Sequence, residues 1–133
     1  RGVRLLEAFR RALAPFRVAR GRRALSPGAE ALGLEWEQRG RTGVARLRWA
    51  DVERAVAFKR DLYAVDLVCL AFEAGGETFE IDEEMEGWDE VLAALPARLP
   101  GCLDGQRILA AVAQPPFAPS QTVVYERRGA APA

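Results

Sequence analysis

Ala64-Val65-Asp66-Leu67-Val68-Cys69-Leu70-Ala71-Phe72-Glu73-Ala74-Gly75-Gly76-Glu77-Thr78-Phe79-Glu80-Ile81 is the stretch that decides the fold. Its first half, from Ala64 to Phe72, is apolar almost throughout, the pattern of a central strand covered on both faces. Gly75 and Gly76 follow, and paired glycines supply the positive φ that both central positions of a tight hairpin turn require. Thr78-Phe79-Glu80-Ile81 then returns with β-branched and aromatic residues. The segment predicts a β-hairpin.

Upstream, the period is two. Leu32, Leu34 and Trp36 alternate with Gly33, Glu35 and Glu37, and the chain turns between Gln38 and Gly43. Ala45, Leu47 and Trp49 then alternate with Arg46 and Arg48. After a break at Ala50-Asp51, Val52 to Phe58 forms a further strand. Five strands joined by short turns predict an antiparallel meander.

Downstream, the period changes. Trp88, Val91, Leu92 and Leu95 recur at helical spacing from Gly87, with Asp89 and Glu90 in the first turn, where the helix dipole favours negative charge. Pro96 and Pro100-Gly101 are expected to end that helix. A short helix from Asp104 to Ala113, a stiff connection through Pro115-Pro116-Phe117-Ala118-Pro119, and a last strand at Thr122 to Tyr125 complete the reading. Trp36, Trp49 and Trp88 fall in the apolar phases of their elements and are assigned to the core.

At the other end, residues 3–14 predict a helix with Leu5, Leu6, Phe9, Ala12 and Leu13 on one face, stopped by Pro15. Arg17 to Gly28 is basic and closes in Ser26-Pro27-Gly28, the composition of a linker. The expected organisation is a basic N-terminal helix and linker over 1–28, one α+β domain over 29–128, and a tail over 129–133. The fold class is α+β: a curled antiparallel sheet of five to six strands with packed helices.

With 133 residues, the chain has the length of one domain and can bury a core without disulfide or metal. Half of its residues are hydrophobic and 29% are charged, ordinary values for a globular protein. All but one of the 19 cationic residues (Lys59) are arginine, which we read as the imprint of a GC-rich, bacterial genome.

The formal net charge of zero hides a strong segregation. Between Arg60 and Arg98 the only charged residues are acidic, and they are densest in Glu80, Asp82, Glu83, Glu84 and Glu86. The first 23 residues set eight arginines against Glu7 alone. Such segregation concerns association and partner choice rather than bond-making chemistry. Cys69 lies in an apolar run and Cys102 follows Pro100-Gly101, so two free thiols in a reducing cytoplasm are expected. Arg10 and Arg11 interrupt the place of a signal-peptide core, so a secretory leader is not expected.

Catalytic signatures are missing. The sequence has no histidine, which removes the commonest general base and metal ligand and every Ser-His or Cys-His dyad. No phosphate-cradling glycine motif occurs. Asp82-Glu83-Glu84-Met85-Glu86-Gly87 imitates the start of a calcium loop but meets Ala93 where the bidentate acid belongs, and it follows a strand instead of a helix. No metal, cofactor or catalytic residue is assigned.

Trp49-Ala50-Asp51-Val52, followed by further strands and a Trp-bearing helix, resembles the strand-joining turn of small bacterial pleckstrin-homology-like domains. Trp49 to Pro100, with Phe58-Lys59-Arg60-Asp61-Leu62-Tyr63 ahead of the apolar run, is similar to small uncharacterised bacterial proteins found mostly in proteobacteria. The resemblance implies a pleckstrin-homology-like fold and transfers no catalytic residue.

These observations lead to a non-enzymatic, cytoplasmic protein-binding domain of adaptor or immunity type. Its binding residues are Glu80, Asp82, Glu83, Glu84, Met85 and Glu86, gathered at one rim of the sheet with Met85 as an exposed apolar centre. A basic protein is the expected partner, with self-association through the chain's own arginines as the competitor. The alternative is a peripheral membrane module using the Arg-rich N-terminal helix, with nucleic acid a weaker candidate for the same arginines.

Overall fold

The computed structural model describes residues 21–62, 65–113 and 121–127. Seven strands and two helices lie within them: β1 (Arg22–Pro27), β2 (Ala31–Gln38), β3 (Arg41–Arg48), β4 (Arg54–Leu62), β5 (Val65–Ala74), β6 (Glu77–Asp82), α1 (Trp88–Arg98), α2 (Gly105–Val112) and β7 (Thr122–Glu126). The N-terminal helix, the proline-rich connection and the tail fall outside the described residues.

The α+β class stands, but the strands divide into two antiparallel sheets where one curled sheet was expected. One has the order β1-β2-β3 and the other the order β6-β5-β4-β7. The division falls at Trp49–Asp51, where a single 3-10 turn separates β3 from β4. Trp49 is buried there. Its backbone N–H donates to the Glu30 carbonyl at 3.0 Å, and its indole N–H donates to the Gly28 carbonyl at 2.9 Å. Its ring meets Phe72 edge-on at 6.2 Å, tying the end of the first sheet to the middle of the second.

The Gly75-Gly76 hairpin forms as its composition requires. Both glycines have positive φ (58° and 80°), and Ala74 faces Glu77 across the turn. β5 is central, between β4 and β6. Leu70, Phe72 and Ala74 enter the main core from one of its faces, and Leu67 and Cys69 are buried on the other. The β2–β3 hairpin turns more tightly than the span Gln38 to Gly43 indicated. Arg39 and Gly40 alone form the turn, both with positive φ, and Gln38 faces Arg41.

Two expectations need correction. Residues 22–27, assigned to the linker, form β1 and pair with β2 from Arg22 opposite Glu37 to Pro27 opposite Leu32. Only Leu25 of that strand is fully buried, so its strand character comes from its neighbours and not from its own period. Pro96 also fails to end α1, which continues to Arg98. Pro96 faces solvent and forfeits one ladder bond, while Val91, Leu92, Leu95 and Leu99 hold the helix on the core.

The core is one cluster drawing Leu32, Leu34 and Leu47 from the first sheet, Phe72, Phe79 and Ile81 from the second, and Trp88, Leu95, Ile108 and Val112 from the helices. Trp49 and Trp88 are buried in it, and Trp36 packs half-buried at its margin. α2 is capped by the Asp104 carboxylate, which accepts from the Arg107 N–H at 2.9 Å.

Gly87, the N-cap of α1, is pressed directly against the backbone of β1. Its φ is +87°, and a Cβ there would overlap the Leu25 carbonyl of β1. Gly87→Ala therefore combines a left-handed backbone with a steric clash, and is expected to cost at least ~1–3 kcal/mol. Gly40→Ala has the same sign of φ but open space around it. Urea denaturation of both variants checks the ranking, and a Gly87→Ala loss no larger than that of Gly40→Ala overturns it.

Candidate interaction surface

β6 ends in the acidic loop, where Asp82, Glu84 and Glu86 lie against β1. There they meet arginines of the same chain. Asp82 is 8% exposed, and its carboxylate takes the Arg23 guanidinium at 3.3 Å and the Glu84 N–H at 3.0 Å. Arg23 also reaches Glu84 at 3.8 Å. Arg22 Nε donates to Glu86 at 2.8 Å, with a second bond at 3.3 Å. The backbones join as well: the Leu25 N–H donates to the Glu86 carbonyl at 2.6 Å, and the Glu86 N–H donates to the Arg23 carbonyl at 2.9 Å.

The remaining acids are similarly occupied. Glu80, on β6, receives Arg60 of β4 at 2.6 Å. Glu83 closes the end of the β5–β6 ladder: its side chain accepts from the Val68 N–H at 2.9 Å, and its N–H donates to the Val68 carbonyl at 3.0 Å. Met85 is not the exposed centre expected of it. It is 3% exposed and belongs to the core, because the loop turns it inward beneath the Glu86–β1 bridge. What stays open at the rim is Glu83, Glu84 and Glu86, with Asp89 and Glu90 on the first turn of α1.

Titration follows from these contacts. Hydrogen bonding to Arg22 holds the Glu86 carboxyl below the ordinary carboxylate range, and the same bond raises the Arg22 guanidinium. Because Glu86 is depressed, the bridge is intact above the ordinary carboxylate range and is lost as pH falls through the lowered value. Burial pushes the Cys69 thiol up to about 12, with Glu80 and Asp82 adding to the effect. Burial alone pushes Cys102 up to about 11. Neither presents a thiolate at neutral pH. Among the described residues, no group of three or more Cys, Asp or Glu is arranged to hold a metal ion.

A second surface was not singled out from the sequence. The face of the first sheet turned away from the core carries Ser26 of β1, Gly33 and Glu35 of β2, and Val44, Arg46 and Arg48 of β3. Small residues along its middle leave a hollow of about 660 Å³ bounded by Ser26, Gly33, Glu35, Val44 and Arg46. A second hollow of about 510 Å³ shares Glu35 and Val44 and extends toward Arg22 and Thr42. Val44 is 75% exposed, the most exposed large apolar side chain among the described residues. The signal was present in the sequence: Thr42, Val44, Arg46 and Arg48 stand opposite Ala45 and Leu47 in the alternation of β3, and Gly33 sits between Leu32 and Leu34.

No family model, curated protein or solved structure matches this chain. No helix among the described residues is long and apolar enough to cross a membrane.

The Arg23–Asp82 pair is the contact at the rim most shielded from water, with both side chains about one-tenth exposed. Arg23→Ala and Asp82→Ala are each expected to cost about 1.5–3 kcal/mol, the range for hydrogen bonds to charged groups. The double variant is expected to cost less than the sum, by on the order of 0.5–3 kcal/mol of coupling. Denaturant unfolding of the four proteins gives the cycle. Additive losses would mean that the pair does not hold β1 to the acidic loop.

Proposed function

We propose that this chain is a non-enzymatic protein-binding domain of adaptor or immunity type, working in a reducing cytoplasm. Its principal contact surface is the outward face of the first sheet. The observation that carries the reading is the open, unevenly filled face itself. Two adjoining hollows of about 660 and 510 Å³ lie beside the exposed Val44, with Arg46 and Arg48 on the edge strand and Glu35 and Glu37 on the middle one. An apolar centre with charges around it is how a protein-binding patch concentrates its affinity and directs its encounters.

The acidic rim keeps a lesser role. Arg22 and Arg23 already offset part of its charge, so Glu83, Glu84, Glu86, Asp89 and Glu90 contribute a long-range field more than a tight contact. The missing histidine and the two buried thiols, pushed up to about 12 and 11, support the non-enzymatic reading by removing histidine- and cysteine-based catalysis. Two buried free cysteines support a reducing compartment. The pleckstrin-homology-like label draws support from two antiparallel sheets with a helix packed against them, and β7, which follows the helices to pair with β4, sets the chain apart from the simplest form of that fold.

Selection of a random peptide display library on the immobilised chain tests the reading. Gly33→Tyr is the blocking variant: a Cβ at Gly33 meets only ordinary contacts with Ser26, so the ring would occupy the hollow without straining the strand. Enriched binders are expected to lose at least about tenfold in affinity, or roughly 1.4 kcal/mol, on that variant while its melting temperature stays within a few degrees. Absence of enrichment, or binders indifferent to Gly33→Tyr, overturns the assignment of this face.

A further inference from the structure

We propose that the free edge of β3 takes up an extended acidic segment of a partner protein as a fourth strand of the first sheet; the proposal rests on the protein-binding reading and names the partner's chemistry. Among the described residues, β3 pairs with β2 and with no other strand. The two-residue turn at Arg39-Gly40 closes on the pair Gln38–Arg41, and this fixes the hydrogen-bonding phase of the hairpin. Arg41, Gly43, Ala45 and Leu47 exchange backbone bonds with Gln38, Trp36, Leu34 and Leu32. Thr42, Val44, Arg46 and Arg48 therefore turn their N–H and C=O groups to the open edge, and among the described residues none of these groups has a backbone partner.

The edge is also charged with one sign. From Arg39 to Arg48 the sequence holds Arg39, Arg41, Arg46 and Arg48 and no acid. No ion pair involves any of the four among the described residues, whereas the arginines of β1 and β4 are paired. A strand added at this edge would run alongside these side chains with Val44 at its centre. The hollow bounded by Val44 and Arg46 lies beside it to receive an apolar residue of the added strand.

A second copy of the chain is the less suitable occupant. Pairing β3 with itself would set two strands side by side that each carry Arg41, Arg46 and Arg48, and like charges across strands are destabilising. An extended segment alternating acidic with β-branched residues reverses that sign and gains the same backbone bonds, the strand-addition mode of peptide recognition.

The test uses the whole chain and a fluorescein-labelled peptide alternating Glu with Val and Thr, with its Glu→Lys counterpart as control. The acidic peptide is expected to bind at least about tenfold tighter, a difference of roughly 1.4 kcal/mol, and to weaken as salt is raised. Val44→Pro removes one outward N–H while sparing the β2 ladder, and proline is tolerated on edge strands. It is expected to abolish binding with little change in melting temperature. Arg46→Glu/Arg48→Glu, a second variant independent of backbone effects, is expected to reverse the preference between the peptides.

Amide exchange gives the signature of strand addition. Added protection should appear at Thr42, Val44, Arg46 and Arg48 in alternation, not at Arg41, Gly43, Ala45 or Leu47. Binding that survives Val44→Pro without amide protection, or that a duplex DNA oligonucleotide matches, overturns the proposal in favour of general polyanion attraction. Self-association abolished by Val44→Pro overturns it in favour of a second copy. Display-selected binders sensitive to Gly33→Tyr but not to Val44→Pro overturn the edge proposal and leave the protein-binding reading standing, whereas failure to select any binder removes both.

Discussion

Trp49 is the constraint on which the rest of the structure depends. A β3 that ran straight on would have no means of turning its inward face over the second sheet. Instead the Trp49 backbone and indole N–H groups are held by the Glu30 and Gly28 carbonyls, both in the loop between β1 and β2. The same ring meets Phe72, near the C-terminal end of β5, edge-on. One residue thus closes the β1–β2 loop, stops β3 and anchors the second sheet. Among the described residues, the divided architecture leaves β3 with an open edge, because the strand that follows it belongs to the other sheet.

The charge segregation along the chain is resolved within the fold, but unevenly. β1 brings Arg22 and Arg23 to the acidic loop, and the two pairs differ in physical weight. Arg23–Asp82 is largely removed from water, where losing one partner strands the other. Arg22–Glu86 stands in solvent, with both side chains more than half exposed, and is screened accordingly. The backbone bonds between Leu25, Glu86 and Arg23 fix the spacing that both ion pairs use. Gly87 follows at once, and its missing side chain is what allows the loop to lie against β1. Charge attraction and steric permission act on adjacent residues of one loop, and α1 begins from that junction.

Most of the architecture was legible wherever local pattern and tertiary environment agree. The Gly75-Gly76 hairpin, β2, β3, both helices and β7 follow from period and turn chemistry, with boundaries shifted by a few residues. β1 was not legible, because Arg-Arg-Ala-Leu-Ser-Pro has neither alternation nor propensity of its own; its partners are the β2 edge and a loop sixty residues away in the sequence. The division into two sheets was hidden for a related reason, since Trp49 in an apolar phase signals burial but not the carbonyls that its N–H groups will find. At the acidic rim the clustering of carboxylates was legible and their occupancy was not. Met85, placed outside by its acidic neighbours in sequence, is drawn inside by a turn that no period encodes.

An eight-residue open edge is a hazard, and natural sheets commonly blunt such edges with charge. Arginine at β3 serves that purpose against a copy of the chain, but charge of one sign is selective as a guard. The magnitudes show how selective. Each backbone bond gained by an added strand is worth ~0.5–1.5 kcal/mol net, while ordering each peptide residue costs ~1–2 kcal/mol, so the backbone alone comes close to cancelling. Exposed ion pairs add only ~0.2–1 kcal/mol each. Against a near-cancelling sum, several pairs of one sign are enough to decide the outcome, favourable for an acidic strand and unfavourable for a basic one. They also make the outcome sensitive to ionic strength, because surface charges separated by more than about 8 Å are screened at physiological salt. The same arginines that keep two copies of this edge apart are therefore the groups through which an acidic strand would be chosen.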